Sequence, residues 1–251
     1  MQASPAARPL SGQVALVTGG ARGIGAAICR ALAADGATIH VADILACDET
    51  VDGIVAAGGA AHGHAHALDV TDRAACKTLA DEIIASSGRL DILICNAGIC
   101  PPGTVAGDWA QWDRVIDVNL HGTQHCVAAV WGHMVERRYG RIVLVSSMAY
   151  YQGGVIVGTE YSASKGAVAA MARHIARNGG QHGILCNAVA PGVIATEMTA
   201  AFAKPDPITI PLRRVGTAED VAGPVRFLCG PDSSYMTGTI LNVTGGIVLA
   251  A

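Results

Sequence analysis

Several features that identify other classes of protein are missing from this sequence. The formal net charge is only -3 and the pI is about 6.3, so the basic excess that a nucleic-acid or anionic-membrane surface needs is absent. No uncharged apolar run approaches the ~20 residues of a membrane span, and the first residues lack the apolar core of a signal peptide. We therefore expect a cytoplasmic protein that binds neither nucleic acid nor membrane, with residues 1–12 forming a flexible tail.

The cysteines lack the spacing of a structural framework. The 8 cysteines are scattered, most of them inside apolar runs, and no CxxC pair is present to hold zinc. Free buried thiols in a reducing compartment explain this pattern better than disulfides do. The sequence thus predicts neither a disulfide scaffold nor a zinc site of this kind.

What is present is a regular alternation of strand-like and helix-like segments. The chain has 251 residues, 51% hydrophobic and 15% charged, which suits one compact α/β domain over residues 13–251. Short apolar runs typical of buried parallel strands occur at 14–18, 38–43, 90–96, 141–147 and 184–191. Helical candidates lie near residues 23–35, 73–87, 111–137 and 161–178. This alternation predicts a doubly wound, Rossmann-like parallel sheet with helices on both faces.

The first strand runs directly into a glycine-rich turn, TGGARGIG, at residues 18–25. Gly19, Gly23 and Gly25 permit a tight turn, close approach of the backbone to a pyrophosphate, and close packing of the following helix. The next strand ends in Asp43, whose carboxylate can hydrogen-bond both hydroxyls of an adenosine ribose and would repel a 2'-phosphate. We therefore predict a dinucleotide cofactor and favour NAD over NADP, although Arg22 could attract that phosphate.

A second pattern lies in EYSASKG at residues 160–166, where Tyr161 and Lys165 fall one helical turn apart on one face. Such a pair alone is more often solvated than catalytic. Together with the glycine spacing G-x-x-x-G-x-G, however, YxxxK resembles the short-chain dehydrogenase/reductase family. The family's other motifs follow in its order, and the resemblance covers the chain from Val14 to about Gly246: LDV at 68–70, NAG at 96–98, DVN at 117–119, SS at 146–147 and PGVIAT at 191–196.

This resemblance implies an oxidoreductase and assigns its site residues. Asp69 and Val70 would neighbour the adenine, and Thr196 would contact the nicotinamide carboxamide. Catalysis would fall to Asn119, Ser147, Tyr161 and Lys165. The full set of cofactor-binding residues would be Gly19, Arg22, Gly23, Ile24, Gly25, Asp43, Ile44, Asp69, Val70, Asn96, Ala97, Gly98, Tyr161, Lys165, Pro191, Gly192, Val193, Ile194 and Thr196.

The chemistry of hydride transfer accounts for these catalytic residue types. Reducing a carbonyl builds negative charge on its oxygen, so a proton donor must lie within hydrogen-bond reach, and alcohol oxidation needs the same group as a base. Since an unperturbed tyrosine, with a pKa of about 10, is a poor base near neutrality, we expect the Lys165 cation to lower the pKa of Tyr161. Lys165 would also hydrogen-bond the nicotinamide ribose. Ser147 would hold the substrate oxygen, and Asn119 would support a water that links Lys165 to solvent.

Three departures from the family pattern concern the substrate side. Ser147 and Tyr161 are one position further apart than is usual, so the loop between them carries an insertion. Ser146 is an alternative to Ser147, although the end of the strand favours Ser147. Residues 197–214 form a short segment with three prolines, which predicts a small or mobile lid, since prolines oppose a helix interior.

The predicted substrate pocket is mostly apolar or aromatic. No arginine is evidently placed to bind a carboxylate, which disfavours strongly acidic substrates. The insertion resembles that of polyol and sugar dehydrogenases, whereas the rest equally resembles the 3-oxoacyl reductase branch. We expect a secondary alcohol such as a polyol, a sugar or another small hydroxy compound, with a 3-oxoacyl-thioester reductase as the alternative. The expected wall consists of Cys100, Met148, Tyr150, Tyr151, Gly154, Met198 and Phe202.

Two other functions compete with this interpretation. Residues 162–165 spell SxxK, the nucleophile motif of penicillin-binding serine hydrolases, but its partner motifs SDN and KTG are absent, as is GxSxG. A non-catalytic module that senses dinucleotides would share the fold. Turnover of NADH with a carbonyl compound would distinguish an enzyme from such a module.

The histidines raise the possibility of a metal site. His62, His64 and His66 alternate along a possible strand, and His121 and His125 are one helical turn apart. A metal site also needs closure by further ligands, and no paired acid or cysteine motif provides it. We expect surface histidines and no catalytic metal, and a structural cation at a subunit contact stays open.

The helices that follow Trp112 and Tyr161 are richer in small and apolar residues than one sheet-facing stripe requires. A second buried face fits this composition. Members of the family often pair these helices across a dimer axis and use the C-terminal segment, here residues 241–251, to complete a tetramer, so the resemblance predicts a homotetramer.

Overall fold

One sheet of parallel strands organises the computed structural model, which describes residues 8–56, 63–154, 156–200, 202 and 206–249. The strands in this part of the chain are β1 Val14–Thr18, β2 Thr38–Asp43, β3 Gly63–Ala67, β4 Ile92–Cys95, β5 Gly140–Val145, β6 Ile184–Pro191 and β7 Ile240–Val243. They lie in the order β3-β2-β1-β4-β5-β6-β7, and every adjacent pair is parallel. The predicted doubly wound α/β fold is therefore confirmed.

Helices cover both faces of this sheet. The α-helices among the described residues are α1 Gly23–Ala34, α2 Asp48–Ala56, α3 Arg73–Ser87, α4 Trp109–Ile116, α5 Gly122–Arg137, α6 Ala149–Gln152, α7 Thr159–Gly179 and α8 Ala218–Cys229. Each link between parallel neighbours has to cross over a face of the sheet, which is why the helices divide between the two sides.

Successive side chains of the central strands point to opposite faces of the sheet, so the protein has two separate hydrophobic cores. Val17 of β1 packs with α1 and α8 on one face, beside Leu32 and Val225. Leu16 of the same strand packs with α3, α5 and α7 on the other face, beside Val130. Because all five residues of β1 are buried, this strand reads as a continuous apolar run, as expected for a strand covered on both sides.

The helix predicted at 111–137 contains an irregular turn. A π-helical segment, Asp117–His121, joins α4 to α5 without a break in the backbone direction. Single π-turns of this kind are rare and often lie at functional sites. Here the turn carries Asn119, which is completely buried.

The predicted tail and lid are described only in part. Residues 1–7 lie outside the described residues, whereas Leu10 is fully buried and its N–H donates to the Asp35 carbonyl at 3.0 Å. In the predicted lid, short 3-10 turns occur at Glu197–Thr199 and Pro207–Thr209. Residues 201 and 203–205 of the lid lie outside the described residues. Within the described ranges, no helix is both long and apolar enough to cross a membrane.

Candidate active site

The glycine-rich turn is held to the end of the neighbouring strand by one side chain. The amide nitrogen of Asn96, which follows β4, donates to the carbonyl oxygens of Thr18 and Gly19 at 3.1 and 2.8 Å. Gly19 has a φ of +65°, and a Cβ on Gly25 would collide with the Gly19 carbonyl. The turn therefore needs glycine at both positions, one for its left-handed backbone and one for close helix packing.

This turn delivers the first turn of α1 to the carboxyl ends of β1 and β4. Arg22 occupies the N-cap position with an extended backbone, and no side chain caps the helix. The N–H groups of the first turn have no intrahelical partner, which makes them suitable donors to a phosphate.

Asp43 closes the other side of the same region at the end of β2. Its two carboxylate oxygens accept the backbone N–H groups of Ala21 and Leu45, each at 3.1 Å. These bonds fix the carboxylate against the glycine-rich turn.

A cleft of 680 Å³ runs along these strand ends and is hereafter the cofactor cleft. Asp69 lies at its rim, where the N–H and hydroxyl of Thr71 donate to the carboxylate and keep the pKa of Asp69 below its usual value. The predicted cofactor residues on its wall are Gly19, Arg22, Gly23, Ile24, Asp43, Ile44, Asp69, Val70, Asn96, Ala97, Gly98 and Thr196.

The remaining predicted cofactor residues lie elsewhere. Gly25 is buried behind the glycine-rich turn. Val193 and Ile194 line a separate cavity of 420 Å³ together with the C-terminal segment. Pro191 ends β6, and its carbonyl accepts the N–H of Met148 at 2.8 Å. A Cβ on Gly192 would press on the backbone of Thr244, so this glycine allows the loop after β6 to pass close to the end of β7.

The structure separates the two candidate serines after β5. The Ser146 hydroxyl is buried and donates to the carbonyl oxygen of Lys165 at 2.8 Å. The Ser147 hydroxyl accepts the N–H of Ala149 at 3.2 Å and lies close enough to the Tyr161 hydroxyl to lower its pKa, against the larger effect of burial. Only Ser147 thus reaches the candidate acid/base.

Tyr161 and Lys165 lie in the first turns of α7. Lys165 is buried, its ammonium lies 5.9 Å from the centre of the Tyr161 ring, and it donates to the carbonyl of Val145 at 2.9 Å. Burial lowers the pKa of Lys165 to about 8. Burial also raises the pKa of the Tyr161 hydroxyl well above its usual value, with the neighbouring Cys100 thiol as the next cause.

The expected lowering of the tyrosine pKa is therefore not seen, and the shift has the opposite direction. Burial opposes the charged form of each group. It therefore favours the neutral phenol of Tyr161 and also makes Lys165, the cation that was expected to stabilise a phenolate, easier to deprotonate. A neutral Tyr161 is suited to donate a proton.

The side chain of Asn119 is fully engaged with its surroundings. Its oxygen accepts the N–H of Ile99 at 2.8 Å, and its nitrogen donates to the Ile99 carbonyl at 3.0 Å and to the Ser164 hydroxyl at 3.1 Å. The π-turn thus anchors the segment that leads to Cys100, beside α7. The role of Asn119 in a water relay stays a prediction.

Comparison with known proteins matches this architecture to one family. The family model described as "Enoyl-(Acyl carrier protein) reductase" matches residues 3–248. The chain belongs to the short-chain dehydrogenase/reductase family. The predicted family resemblance is thereby confirmed over nearly the whole chain.

Relatives within this short-chain dehydrogenase/reductase family act on different substrates. The chain is 37% identical to a 3-oxoacyl acyl-carrier-protein reductase of Thermotoga maritima, over 96% of this chain and 99% of that protein. It is 39% identical to the cyclohexanol dehydrogenase of a Rhodococcus species, over 95% and 97%. A solved Agrobacterium tumefaciens structure, described provisionally as a 2-deoxy-D-gluconate 3-dehydrogenase with bound NADP, superposes with a TM-score of 0.88 at 36% identity, covering 96% and 98%.

The residues of the cofactor cleft fit the dinucleotide that members of this short-chain dehydrogenase/reductase family use. The collision that a Cβ at Gly25 would produce shows that the loop and helix meet without room for a side chain. The uncapped first turn of α1 provides N–H donors for the pyrophosphate, and the fixed carboxylate of Asp43 provides acceptors for ribose hydroxyls. An NAD(P) cofactor is therefore consistent with both the family and the geometry.

Sequence reasoning missed one residue of the site. Arg114 on α4 lies on the wall of the cofactor cleft, whereas Cys100, which the sequence placed in the substrate wall, lies beside the Tyr161 hydroxyl. Arg114 is found in WDRVIDVNL, five positions before Asn119. The signal in the sequence that could have identified Arg114 was its position in the same predicted helix as Asn119.

The residues predicted to form the substrate wall do not all line one cleft in the structure. Met198 lines the cofactor cleft, and Met148 is the N-cap residue of the short helix α6 after Ser147. Tyr151 lies on α6 with 62% of its surface exposed, and Gly154 follows that helix, also exposed. Phe202 is half-buried among the few described residues of the lid.

The histidines take positions that the sequence predicted only in part. His64 is exposed on the edge strand β3, whereas His66 is half-buried and lies 2.9 Å from Nδ1 of the buried His40 on β2. His125 is also half-buried and donates from Nδ1 to the Val70 carbonyl at 3.0 Å. His62 lies outside the described residues. Within the described ranges, no three histidine, cysteine or acidic side chains are arranged to hold a metal ion.

Proposed function

We propose that this short-chain dehydrogenase/reductase is an NAD(H)-dependent oxidoreductase that interconverts a secondary alcohol and its ketone. The observation that carries the proposal is the proximity of the Ser147 and Tyr161 hydroxyls to each other and to the carboxyl ends of the parallel strands. In open α/β sheets, ligands bind at this edge. Two hydroxyls that meet there can hold one substrate oxygen between them.

Each side chain has a role that follows from its surroundings. Ser147 donates a hydrogen bond to the carbonyl oxygen, and the neutral phenol of Tyr161 gives that oxygen its proton during reduction. Oxidation runs in the opposite sense, with Tyr161 accepting the alcohol proton. A bound dinucleotide would supply or accept the hydride. Lys165, whose pKa burial lowers to about 8, would replenish the tyrosine proton and bind the nicotinamide ribose.

The position of Asp43 favours NAD over NADP. Its carboxylate is fixed by two backbone N–H groups, so it cannot easily turn away from a bound adenosine ribose. A 2'-phosphate on that ribose would meet this negative charge at short range. The exposed Arg22 adds a positive charge beside the glycine-rich turn and limits the size of the preference.

Small hydroxy compounds are the favoured substrates, and thioesters are the second candidate. Cyclohexanol dehydrogenase supports the first choice as a 39% identical relative that is named for a small secondary alcohol. The 3-oxoacyl reductase of Thermotoga maritima, at 37% identity, supports the second. Sequence similarity alone does not rank them, because the two identities are nearly equal.

The deciding experiment measures NAD and NADP reduction with a panel of secondary alcohols, polyols and sugar acids, and the reverse reaction with 3-oxoacyl thioesters. The Tyr161→Phe variant is measured beside the wild type. We expect NAD-linked turnover in the wild type and a fall in kcat of about 10²–10⁴-fold in Tyr161→Phe, the contribution of a general acid/base. The Kd for NADH, from fluorescence titration, should remain the same in both. Binding of NADH without any turnover would instead support a dinucleotide-sensing module.

We also propose a homotetramer built on α5 and α7. The outward face of α5 carries the exposed Ala128 and that of α7 the exposed Ala170. Small side chains at such positions allow two helices to approach closely across a symmetry axis.

A further inference from the structure

A second cleft, of 630 Å³, opens beside the cofactor cleft and is hereafter the side cleft. Cys100, Pro101 and Gln111 line it on the substrate side. The residues shared by the two clefts are Arg22, Gly98, Ile99, Ala110, Arg114 and Met198. The two clefts are therefore continuous, and two arginines lie where they join.

These two arginines have unsatisfied charges within the described part of the chain. The side chains of Arg22 and Arg114 are exposed, and neither forms an ion pair or hydrogen bond with a described residue. By contrast, Arg89 and Arg214 pair with carboxylates. Five donors in a planar fork make an unpaired guanidinium well suited to a carboxylate or phosphate.

The charges on the two walls differ in sign. The cofactor cleft sets five acidic side chains against the two arginines: Asp43, Asp69, Asp113, Asp117 and Glu197. On the described wall of the side cleft the only acid is Asp108, whose carboxylate is occupied in capping α4 through the Ala110 N–H at 3.0 Å. Positive potential is thus in excess on the side cleft.

The side cleft also reaches the reacting groups. Cys100 lies on its wall, and its thiol is a near neighbour of the Tyr161 hydroxyl. One end of the side cleft therefore adjoins the acid/base, and the other end adjoins Arg114. Its volume lies within the range of sites for drug-sized ligands and exceeds what a small neutral alcohol requires.

We propose that Arg114, with Arg22 adding a second positive charge, binds an anionic group of the substrate while the reacting carbon lies at Tyr161. The substrate is accordingly a hydroxy or oxo compound that carries a carboxylate or a phosphate. This inference rests on the proposed oxidoreductase function and names its substrate class. It replaces the expectation from sequence that acidic substrates are disfavoured, since that expectation placed no arginine near the pocket.

The test compares substrates with and without an anionic group. Gluconate provides a carboxylate, acetoacetyl-CoA provides phosphates, and cyclohexanol provides neither. In Arg114→Gln, we expect the KM of the anionic substrate that is turned over to rise about ten- to a hundredfold, as for loss of a charged hydrogen-bonding partner. The KM of cyclohexanol should change far less. Arg114→Lys should fall between, because lysine keeps the charge and loses the bidentate geometry.

Two controls separate substrate binding by Arg114 from an effect of net charge and from an effect on cofactor binding. Arg73→Gln, at an exposed arginine on α3 outside both clefts, changes net charge equally and should leave all three KM values unchanged. The Kd for NADH should be the same in Arg114→Gln as in the wild type. Equal losses for charged and neutral substrates, an unchanged KM for the anionic one, or weaker NADH binding alone would overturn the proposal.

Failure of the proposed function can be distinguished from failure of this inference. If none of the three compounds is turned over, the oxidoreductase proposal fails for them, and binding is measured instead through Trp109 and Trp112, which lie on α4 with Arg114. Saturable quenching by gluconate or CoA that is lost in Arg114→Gln supports the anion site. Absence of such quenching in the wild type contradicts it.

Discussion

The two neighbouring serines at the end of β5 lie in different surroundings, and this leads to opposite expectations for two adjacent alanine substitutions. Ser147→Ala removes the hydroxyl that meets Tyr161 and should lower kcat by about 10²–10³-fold, as for loss of an oxyanion donor. Ser146→Ala removes a buried hydrogen bond to Lys165 and should cost about 1 kcal/mol of unfolding free energy.

Urea unfolding and steady-state kinetics on the same two variants check this pair. Each variant acts as the control for the other, since they differ by one position. A larger loss of kcat in Ser146→Ala than in Ser147→Ala would contradict the assignment.

At Asp43, removal of one negative charge should change the choice of cofactor. Asp43→Asn keeps the shape of the side chain and removes the repulsion of a 2'-phosphate. We expect the ratio of kcat/KM for NADP to that for NAD to rise about ten- to a hundredfold, since one or two kcal/mol of repulsion is relieved. Asp48→Asn, at an exposed acid in the first turn of α2, is the matched control. A ratio that does not move in Asp43→Asn would remove the basis for the NAD preference.

At the scale of elements, the contact between the glycine-rich turn and α1 can be tested by adding one methyl group. Gly25→Ala places a Cβ against the Gly19 carbonyl, so the helix must move away, and we expect a loss of about 1–3 kcal/mol of unfolding free energy together with weaker NADH binding. Gly223→Ala in α8 meets no neighbouring element, but the ring of the following Pro224 crowds the new Cβ, so the change in stability should stay within about 0.5 kcal/mol. Thermal unfolding with and without NADH measures both effects.

The pairing of β2 with β3 should depend on pH through His40. Burial, followed by His66 and His64 on β3, lowers the pKa of His40 from 6.5 to about 4. The unfolded chain therefore binds more protons between these values, so stability is fully present above pH ~6.5 and is lost as the pH falls toward 4. Glu82 on α3 faces His66 and opposes part of the shift there.

Urea midpoints between pH 4.5 and 7.5 measure this dependence. His40→Gln should reduce the dependence of the urea midpoint on pH. His121→Gln, at an exposed histidine paired with Asp117, should leave that dependence unchanged. An equal slope in the wild type and in His40→Gln would show that other groups carry the acid sensitivity.

The sequence predicted the elements whose residues are uniformly apolar and missed those that lie at the edges. β1, β2 and β6 have the predicted bounds because each is a buried run. β3, GHAHA, is an edge strand with mostly exposed residues, so it lacks the apolar run by which strands are recognised. α8 contains Pro224, which argues against a helix interior, although packing of α8 on α1 retains it.

The residues of the candidate site also fall into two groups, those that the sequence predicted and those that it did not. Motif residues such as Tyr161 and Asp43 were identified because they stand at fixed spacings from a recognisable turn or helix. Arg114 belongs to the site only because the π-turn and α4 carry it to the wall of the cleft, and this orientation is set by packing. The direction of the Tyr161 pKa also depends on burial, which spacing in the sequence does not reveal.

At the scale of the whole molecule, the proposed homotetramer predicts a mass in solution four times the chain mass of 25.5 kDa. Light scattering after size exclusion measures this directly. Ala128→Arg on α5 adds a large charged side chain at an exposed position and should shift the mass toward smaller species. Gly223→Ala, on α8, is the control that should keep the assembly intact. A wild-type mass equal to one chain would contradict the proposal.

The strand order also determines when the protein can first bind a ligand during its synthesis. The amide of Asn96 holds a carbonyl 78 positions earlier in the chain, so the glycine-rich turn is not secured until β4 has left the ribosome. At translation rates of 5–20 residues per second, that interval is roughly 4 to 16 seconds. Throughout this interval, the nascent β1 lacks its neighbour β4 and leaves one edge of an apolar strand unpaired. The glycine-rich turn therefore takes its final form only after β1 has paired with β4, the strand on the other side of it from β2.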